Sequence, residues 1–132
     1  GVTRFIPILT ERTIVRRLNE KRINKIIKEA CEQSNRLNIP KLDKIIKLDN
    51  FLKSNQNINV IFGDLNSDSK KLDIIKKDPI CILIGPEGDF SIKERENIYK
   101  QKNIFPFNIN KNILRSETAA ISMISIVSFN LL

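Results

Sequence analysis

An unbroken run of apolar residues, Ile80–Ile84, breaks at once into the turn Gly85–Gly88, and a helix start follows at Ser91. A strand that is apolar on both faces is typical of the middle of a covered, mostly parallel sheet. A Gly/Pro turn directly after such a strand lies where open α/β sheets bind their ligands. Gly85 and Gly88 also permit positive φ angles and a close approach of a ligand to the backbone. The pattern therefore predicts a small-molecule site at the C-terminal end of a central strand.

A helical period replaces this pattern between about Asn19 and Arg36. The apolar and small residues there fall on one face of an amphipathic helix: Ile23, Ile26, Ile27, Ala30, Cys31 and Ser34. A brief helix is predicted around Phe51–Lys53, with Asp49 or Asn50 as its cap.

Ser91 and Glu94 have the spacing of a capping box, which predicts a helix that runs through about Gln101. Its core-facing positions are expected to be Ile92, Arg95, Ile98 and Tyr99. A final apolar helix is predicted over Ala119–Leu132.

Further apolar stretches have the length of strands. Phe5–Leu9 contains Pro7, which favours a strand end or an edge strand. Asn57–Phe62 ends in a glycine turn at Gly63–Ser67, and Ile104–Ile109 ends in a polar turn at Asn110–Asn112. The remaining connections are a short strand or extended segment, Lys41–Leu48, and a charged connector with one or two helical turns, Ser69–Lys77. Together these elements predict an α/β fold, with a mostly parallel sheet and helices on both of its faces.

The turns near Gly63, Gly85 and Asn110 each follow a predicted strand. If those strands are parallel and adjacent, the turns lie side by side and can wrap a small ligand through backbone N–H and C=O groups. The glycine fingerprints of phosphate-binding loops are absent from the sequence. An adenosine-containing ligand without a phosphate chain is therefore favoured.

The 132 residues are expected to form one domain, and they carry a formal net charge of +8 with a pI of about 9.7. This charge favours an anionic partner, with RNA or DNA ahead of a membrane. AT-rich codons would also supply an excess of lysine, so mutational bias is an alternative source of part of the charge.

The chain contains no histidine, which excludes a Ser-His-Asp triad, a Cys-His pair and a His-ligated metal within it. Cys31 and Cys81 each lie among apolar residues and are expected to be small buried side chains in a reduced, cytoplasmic protein. There is no signal-peptide pattern, and Ala119–Leu132 is too short and polar to span a bilayer.

Several motifs resemble one known family. Leu83–Ser91 is similar to LIGPEGGFS, a signature of the SPOUT-class 16S ribosomal RNA (uracil-N3)-methyltransferases, the RsmE family, and Ile113–Ala119 resembles that family's ILRTETA. Gly1–Pro7 with Thr10–Arg12 is similar to its GV-x-R-x-x-P and TER segments, and Glu29–Arg36 to its EA-x-EQS-x-R helix end. These motifs occur in the family's order and span nearly the whole chain.

The resemblance implies a SPOUT methyltransferase domain over residues 1–132 with an α/β (trefoil) knot, one of the rare exceptions to unknotted topology. It implies S-adenosylmethionine as cofactor, methyl transfer to N3 of a uridine in 16S ribosomal RNA of the small subunit, and a homodimer, with no membrane or metal. The family's N-terminal RNA-binding barrel and first strand and helix have no counterpart here. Because the chain begins at Gly1 without an initiator Met, we expect a piece of a longer protein.

Carried onto this chain, the family's cofactor site comprises positions in the three turns and in the segment before the last helix. These positions are Phe62, Gly63, Leu65, Ile84, Gly85, Pro86, Glu87, Gly88, Ile109, Asn110, Ile113, Leu114 and Thr118.

Candidates for the chemistry are Arg115, Arg36 and Glu117. A cationic side chain, Arg115 or Arg36, would stabilise the developing uracil anion. Glu117 would accept the proton, orient Arg115, or simply stabilise the N-terminus of the last helix. Arg36 also fits a solvated helix end, and Glu87 fits a role in bracing its loop or holding the cofactor.

Two departures from the family pattern leave alternatives open. Asp89 replaces the second glycine after the glutamate, and Ile109–Asn112 replaces L-G-x-R. Asn110 tolerates left-handed backbone, which would preserve the turn. The alternatives are a non-catalytic RNA- or ribosome-binding relic of the same fold, or a SPOUT methyltransferase that acts on another RNA.

Overall fold

The computed structural model describes residues 1–68, 72 and 79–131, which form seven short strands and four helices. The strands are β1 Arg4–Phe5, β2 Ile8–Leu9, β3 Lys41–Leu42, β4 Ile46–Lys47, β5 Asn59–Gly63, β6 Ile80–Leu83 and β7 Ile104–Phe107. The helices are α1 Glu20–Gln33, α2 Leu48–Ser54, α3 Ile92–Tyr99 and α4 Ser116–Leu131. The predicted connector Ser69–Lys77 lies outside the described residues, apart from Leu72.

All described strand pairs are parallel, and the three-stranded sheet has the order β6-β5-β7. The strand at its centre is β5, in which Val60, Ile61 and Phe62 are all buried. The prediction that Ile80–Ile84 forms the central strand is therefore wrong for this sheet. An apolar run indicates that both faces of a strand are covered. It does not indicate whether the strand pairs with neighbours along one edge or along both.

Helices cover both faces of the sheet, as predicted. On one face, Phe51 and Leu52 of α2 and Ile98 of α3 pack with residues of β5 and β6. On the other face, Met123 and Val127 of α4 pack against the opposite sides of the same strands.

Pro7 separates β1 from β2, as expected for a residue that cannot donate to a strand ladder. The carbonyl oxygen of Pro7 still accepts a hydrogen bond of 3.0 Å from the backbone N–H of Ile46. The first strand segment, residues 4–9, thus pairs with β3 before the proline, through β1, and with β4 after it, through β2.

The capping box of α3 is confirmed, because Ser91 and Glu94 bond reciprocally to each other's backbone N–H. This geometry buries Ser91, Glu94 and Ile98, which lie on one face of the helix. Ile92 consequently points away and is 78% exposed, so its predicted core position is wrong.

The other helices differ from prediction in detail. In α1, Ile27 and Cys31 are buried, but the next row of the predicted face, Ile26, Ala30 and Ser34, is exposed. Asn19 caps α1, accepting a hydrogen bond of 3.0 Å from the N–H of Arg22.

The expected caps of α2 are wrong, since this helix begins after Lys47, which makes no side-chain capping bond. Asp49 and Asn50 therefore lie inside its first turn. The last helix, α4, begins at Ser116, ahead of the predicted Ala119.

Candidate functional site

The ends of the three sheet strands converge on Gly63, the last residue of β5. A Cβ atom at Gly63 would lie 3.1 Å from Cδ1 of Ile84, which follows β6, and 3.6 Å from Cδ1 of Ile109, which follows β7. It would also lie 3.3 Å from Cε of Met123 in α4. The predicted meeting of three turns at one edge of the sheet is confirmed. We call residues 63–67, 84–89 and 108–114 the three-turn site.

The turn after β6 closes through a hydrogen bond of 2.8 Å from the N–H of Asp89 to the carbonyl oxygen of Pro86. The positive φ angle in this turn, 58°, belongs to Asp89, and no glycine among the described residues has one. Gly85 is needed for another reason: a Cβ atom there would lie 3.0 Å from the ring of Phe90, which is buried.

The turn after β7 is held by asparagine side chains. Oδ1 of Asn108 accepts from the N–H of Asn110 at 3.1 Å, and Nδ2 of Asn108 donates to the carbonyl oxygen of Leu65 at 3.0 Å. The φ angle of Asn110 is not positive. This turn is therefore preserved by side-chain-to-backbone hydrogen bonds of the Asx type, and not by the left-handed backbone that we expected.

The segment before α4 is attached to the turn after β6. Oγ of Ser116 donates a hydrogen bond of 2.9 Å to the carbonyl oxygen of Gly85. The carbonyl oxygen of Arg115 accepts the first helical bond, from the N–H of Ala119 at 2.8 Å. Glu117 lies in the first turn of α4, where a carboxylate interacts favourably with the helix dipole.

The charged side chains on either side of Ser116 point into solvent. Those of Arg115 and Glu117 are 86% and 63% exposed, with Nη1 and Oε1 separated by 3.9 Å. Such a pair contributes little to stability, and both groups are accessible to a substrate.

The first strand segment also reaches this site. Nη1 of Arg12 donates to the carbonyl oxygen of Gly88 at 2.8 Å, and the N–H of Glu11 donates to Oε1 of Glu94 at 2.8 Å. The Thr10–Arg12 segment is thus fixed to the turn after β6 and to α3. Sequence reasoning noted this segment only through its resemblance to TER and assigned it no role.

A charged cluster around Asp64 of the three-turn site was not anticipated either. Asp64, directly after β5, accepts hydrogen bonds from Arg95 at 2.5 Å, from the N–H of Asn66 at 2.9 Å and from the hydroxyl of Tyr99. Burial alone would raise the pKa of Asp64, but these bonds together hold the pKa below its ordinary value. Burial and the bond to Asp64 both raise the pKa of Tyr99.

Arg36 bonds to the part of the chain before the first strand. Its Nη2 donates at 2.8 Å to the carbonyl oxygen of Val2, which precedes β1. Arg12, at the other end of the same extended segment, contacts Gly88. Val2 and Arg12 are separated along the chain by β1 and β2, so Arg36 bonds to the start of this segment and Gly88 to its end.

The predicted cofactor residues all fall in the three-turn site or at its borders. Phe62 is fully buried, with 0% of the residue exposed. Those that are half-buried are Gly63, Ile84, Gly85, Pro86, Ile109 and Leu114, and those that are exposed are Leu65, Glu87, Gly88, Asn110, Ile113 and Thr118.

Cys31 and Cys81 are both free thiols, as expected, but only Cys31 is buried and Cys81 is half-buried. The residues that the structure describes include no group of acidic and cysteine side chains placed to hold a metal ion. No helix over residues 1–68, 72 and 79–131 has the length and apolar character needed to cross a membrane.

Fold and site together define a parallel α/β domain in which three turns meet at one edge of the sheet, and comparison with known proteins specifies it further. Residues 1–128 match the model of the RNA methyltransferase domain. The chain therefore belongs to the RNA methyltransferase domain family, and the resemblance to the RsmE family is confirmed.

Two similar proteins are ribosomal RNA small subunit methyltransferases E. The one from Rickettsia conorii is 34% identical over 95% of this chain and 53% of its own length, and the one from Aquifex aeolicus is 27% identical over 96% and 57%. The chain thus spans about half the length of the curated relatives it matches.

Solved structures agree with this assignment. Ribosomal RNA small subunit methyltransferase E from Neisseria gonorrhoeae, bound to S-adenosylmethionine, has a TM-score of 0.88 and 29% identity, over 98% of this chain and 55% of that one. A Legionella pneumophila protein in complex with bound S-adenosylmethionine has a TM-score of 0.85 and 31% identity, over 98% of this chain and 56% of that one.

Proposed function

We propose that the three-turn site binds S-adenosylmethionine and that the domain transfers a methyl group to N3 of a uridine in 16S ribosomal RNA of the small subunit. The observation that carries the proposal is the convergence of the three strand ends around Gly63. The similar protein from Neisseria gonorrhoeae is bound to this cofactor, which supports the same assignment here.

The chemistry of the three-turn site fits this cofactor. Ile84 and Ile109 surround Gly63 with apolar atoms, which suit a purine and an aliphatic chain. The turns add backbone groups as hydrogen-bonding partners, and Glu87 contributes an exposed carboxylate beside them. A neutral nucleoside with a cationic sulfonium matches this set of groups better than a phosphate chain does.

A knotted topology, a homodimer and a cytoplasmic location are parts of the same proposal. The bond from Ser116 to Gly85 supports the knot, because it draws the chain that follows β7 back to the turn after β6. Ile121 and Phe129 of α4, which are 66% and 78% exposed, support a subunit interface on this helix. The net charge of +8 supports binding to RNA.

When bound, the cofactor supplies an electrophilic methyl group on a sulfonium. The part of this chain is to hold the uracil in line with that group, since placement removes much of the entropic barrier. Arg115 is accessible for stabilising the negative charge that develops on the uracil ring. Glu117 orients Arg115 or accepts the N3 proton. Arg36 bonds to Val2, and in the proposed homodimer its catalytic role would be exerted on the site of the second copy.

Isothermal titration of the full-length protein with S-adenosylmethionine tests the cofactor assignment. A saturable heat with one site per chain is expected. If the folded protein gives no binding heat, the enzyme assignment fails, and the non-catalytic RNA-binding alternative takes its place.

Mass spectrometry of 16S RNA from a strain that lacks the gene tests the substrate. Loss of N3-methyluridine, restored by the wild-type gene, is expected. Persistence of the modification would reject this target and favour another RNA. In the same strain, Arg115→Ala should restore much less modification than the matched surface variant Arg22→Ala.

A further inference from the structure

Arg95 of α3 lies between two carboxylates that belong to different turns of the three-turn site. Its Nη1 bonds to Oδ1 of Asp64 at 2.5 Å, and its Nη2 bonds to Oδ2 of Asp89. Asp64 follows β5, and Asp89 closes the turn after β6. One guanidinium therefore joins two walls of the proposed cofactor site.

Both carboxylates also have hydrogen-bond partners other than Arg95. Asp64 has a fully buried side chain and accepts bonds from the N–H of Asn66, at 2.9 Å, and from the hydroxyl of Tyr99. Asp89 has a φ angle of 58°, and its Oδ1 accepts from the N–H of Phe90 at 2.8 Å. The position of each carboxylate is therefore fixed by the conformation of its own turn, and Arg95 bonds to both.

Arg95 is also held in place by its backbone and by the ring of Phe62. Its N–H donates to the carbonyl oxygen of Ser91 at 2.9 Å, in the capped first turn of α3. Its guanidinium carbon lies 5.8 Å from the centre of the ring of Phe62, and its side chain is only 20% exposed. A planar guanidinium bonds two carboxylates through separate N–H groups, which a lysine ammonium cannot do with the same fixed geometry.

We propose that Arg95 is a positioning residue that locks the turn after β5 to the turn after β6 and thereby sets the affinity of the three-turn site for its ligand. The part concerning affinity rests on the proposed binding of S-adenosylmethionine. Asp89 replaces a glycine of the resembled motif. Its ion pair with Arg95 makes the replacing side chain part of the link between the two turns. The negative charge of Asp89 is thus paired with the positive charge of Arg95.

The protonation states support this arrangement. The pKa of Asp64 is lowered despite its burial, and hydrogen bonds and charge from Asp64 and Asp89 raise the pKa of Arg95 against the effect of burial. Asp64 and Arg95 are consequently both charged at neutral pH.

Binding of S-adenosylmethionine to variants of the full-length protein provides the test. Because coupled contacts are lost together, we expect Arg95→Gln to raise the dissociation constant about tenfold. Asp89→Asn, which keeps a residue that tolerates positive φ, should raise it by a similar factor. The double variant should be no worse than Arg95→Gln alone, and Arg95→Lys should restore only part of the loss. Lys93→Gln, an exposed change on the same helix, is the matched control and should bind normally.

Equal affinity of wild type and Arg95→Gln, in a wild type that binds, would overturn the proposal even if the variant melts earlier. The proposal would also be overturned if the dissociation constant of the double variant rose by the product of the two single increases. Asp89→Asn changes a side chain that is 56% exposed, so it keeps the test valid if Arg95→Gln fails to fold.

Hydrogen exchange without ligand separates this proposal from the proposed function. The N–H groups of Asn66 and Phe90 report on the two turns. Asp89→Asn should speed exchange at Asn66, in the other turn, as well as at Phe90. Unchanged exchange at Asn66 overturns the linkage whether or not the cofactor binds. Coupled exchange in a protein that does not bind S-adenosylmethionine would reject the proposed function and leave the linkage between the turns standing.

Discussion

Oγ of Ser116 donates a hydrogen bond of 2.9 Å to the carbonyl oxygen of Gly85, which lies 31 positions earlier in the chain. This bond joins the start of α4 to the turn after β6, the two places where the family resemblance is most specific. It explains in physical terms why a hydroxyl residue precedes Glu117. The hydroxyl both orients the turn after β6 and fixes where the exposed Arg115 emerges.

Replacing Ser116 by alanine should weaken both stability and cofactor binding. Loss of one partly buried hydrogen bond costs about 1 kcal/mol, and the carbonyl of Gly85 loses its fixed direction. Ser116→Thr keeps the hydroxyl and is the matched control. Thermal unfolding and titration with S-adenosylmethionine measure the two effects. Equal behaviour of the alanine and threonine variants would show that the hydroxyl is dispensable.

The two glycines of the turn after β6 should differ sharply in their response to alanine. A Cβ atom at Gly85 meets the buried ring of Phe90 at 3.0 Å, whereas at Gly88 the nearest contact is Cβ of Arg12 at 3.4 Å. We expect Gly85→Ala to lower the free energy of unfolding by about 2 kcal/mol through overpacking. Gly88→Ala should change it by less than about 0.5 kcal/mol. Urea denaturation of both variants makes the comparison, and a larger loss at Gly88 would contradict it.

Hydrophobic patterning predicted most of the fold, because period and length distinguish buried strands from amphipathic helices. It did not identify the central strand, since the apolar runs of β5 and β6 look alike and their order depends on edge pairing. It also misplaced Ile92, because the capping geometry of Ser91 and Glu94 decides which face of α3 is buried.

The candidate site was predictable where its residues are contiguous in sequence, as in the turns at Gly63 and Gly85. The linkage of Asp64, Arg95 and Asp89 was not, because its members are brought together only by folding. The positive φ was assigned to glycines on conformational freedom alone, and it falls on Asp89. The side chain of Asp89 accepts a local hydrogen bond from the N–H of Phe90, which helps an aspartate to adopt this conformation.

Asp64 should make acid unfolding steeper. Its pKa is lower in the folded state than its ordinary value of 3.8, so near this pH the unfolded chain binds the proton more readily. Its stabilising contribution is therefore present above pH 3.8 and is lost as pH falls through the lower folded pKa. Asp64→Asn should cost about 2 kcal/mol at pH 7, the scale of hydrogen bonds to a charged group.

The difference in free energy of unfolding between wild type and Asp64→Asn should accordingly shrink below pH 3.8. Urea denaturation across this range measures it. Asp49→Asn is the matched control, since Asp49 is exposed in α2. A difference that stays constant with pH would show that Asp64 does not carry a depressed pKa.

Glu94 should be more important for stability than its place in a surface helix suggests. Its Oε1 accepts from the N–H of Glu11 at 2.8 Å and its Oε2 from the N–H of Ser91 at 3.0 Å, and the residue is only 8% exposed. Glu94→Ala leaves two N–H groups without their acceptor, which should cost about 3 kcal/mol, whereas Glu94→Gln keeps one acceptor oxygen and should cost about half as much. Chemical denaturation gives both values.

Hydrogen exchange at Glu11 should also rise in the alanine variant, because Glu94 is the contact through which the Thr10–Arg12 segment is fixed to α3. If exchange at Glu11 stays slow, then the bond from Arg12 to Gly88 alone holds this segment against the three-turn site.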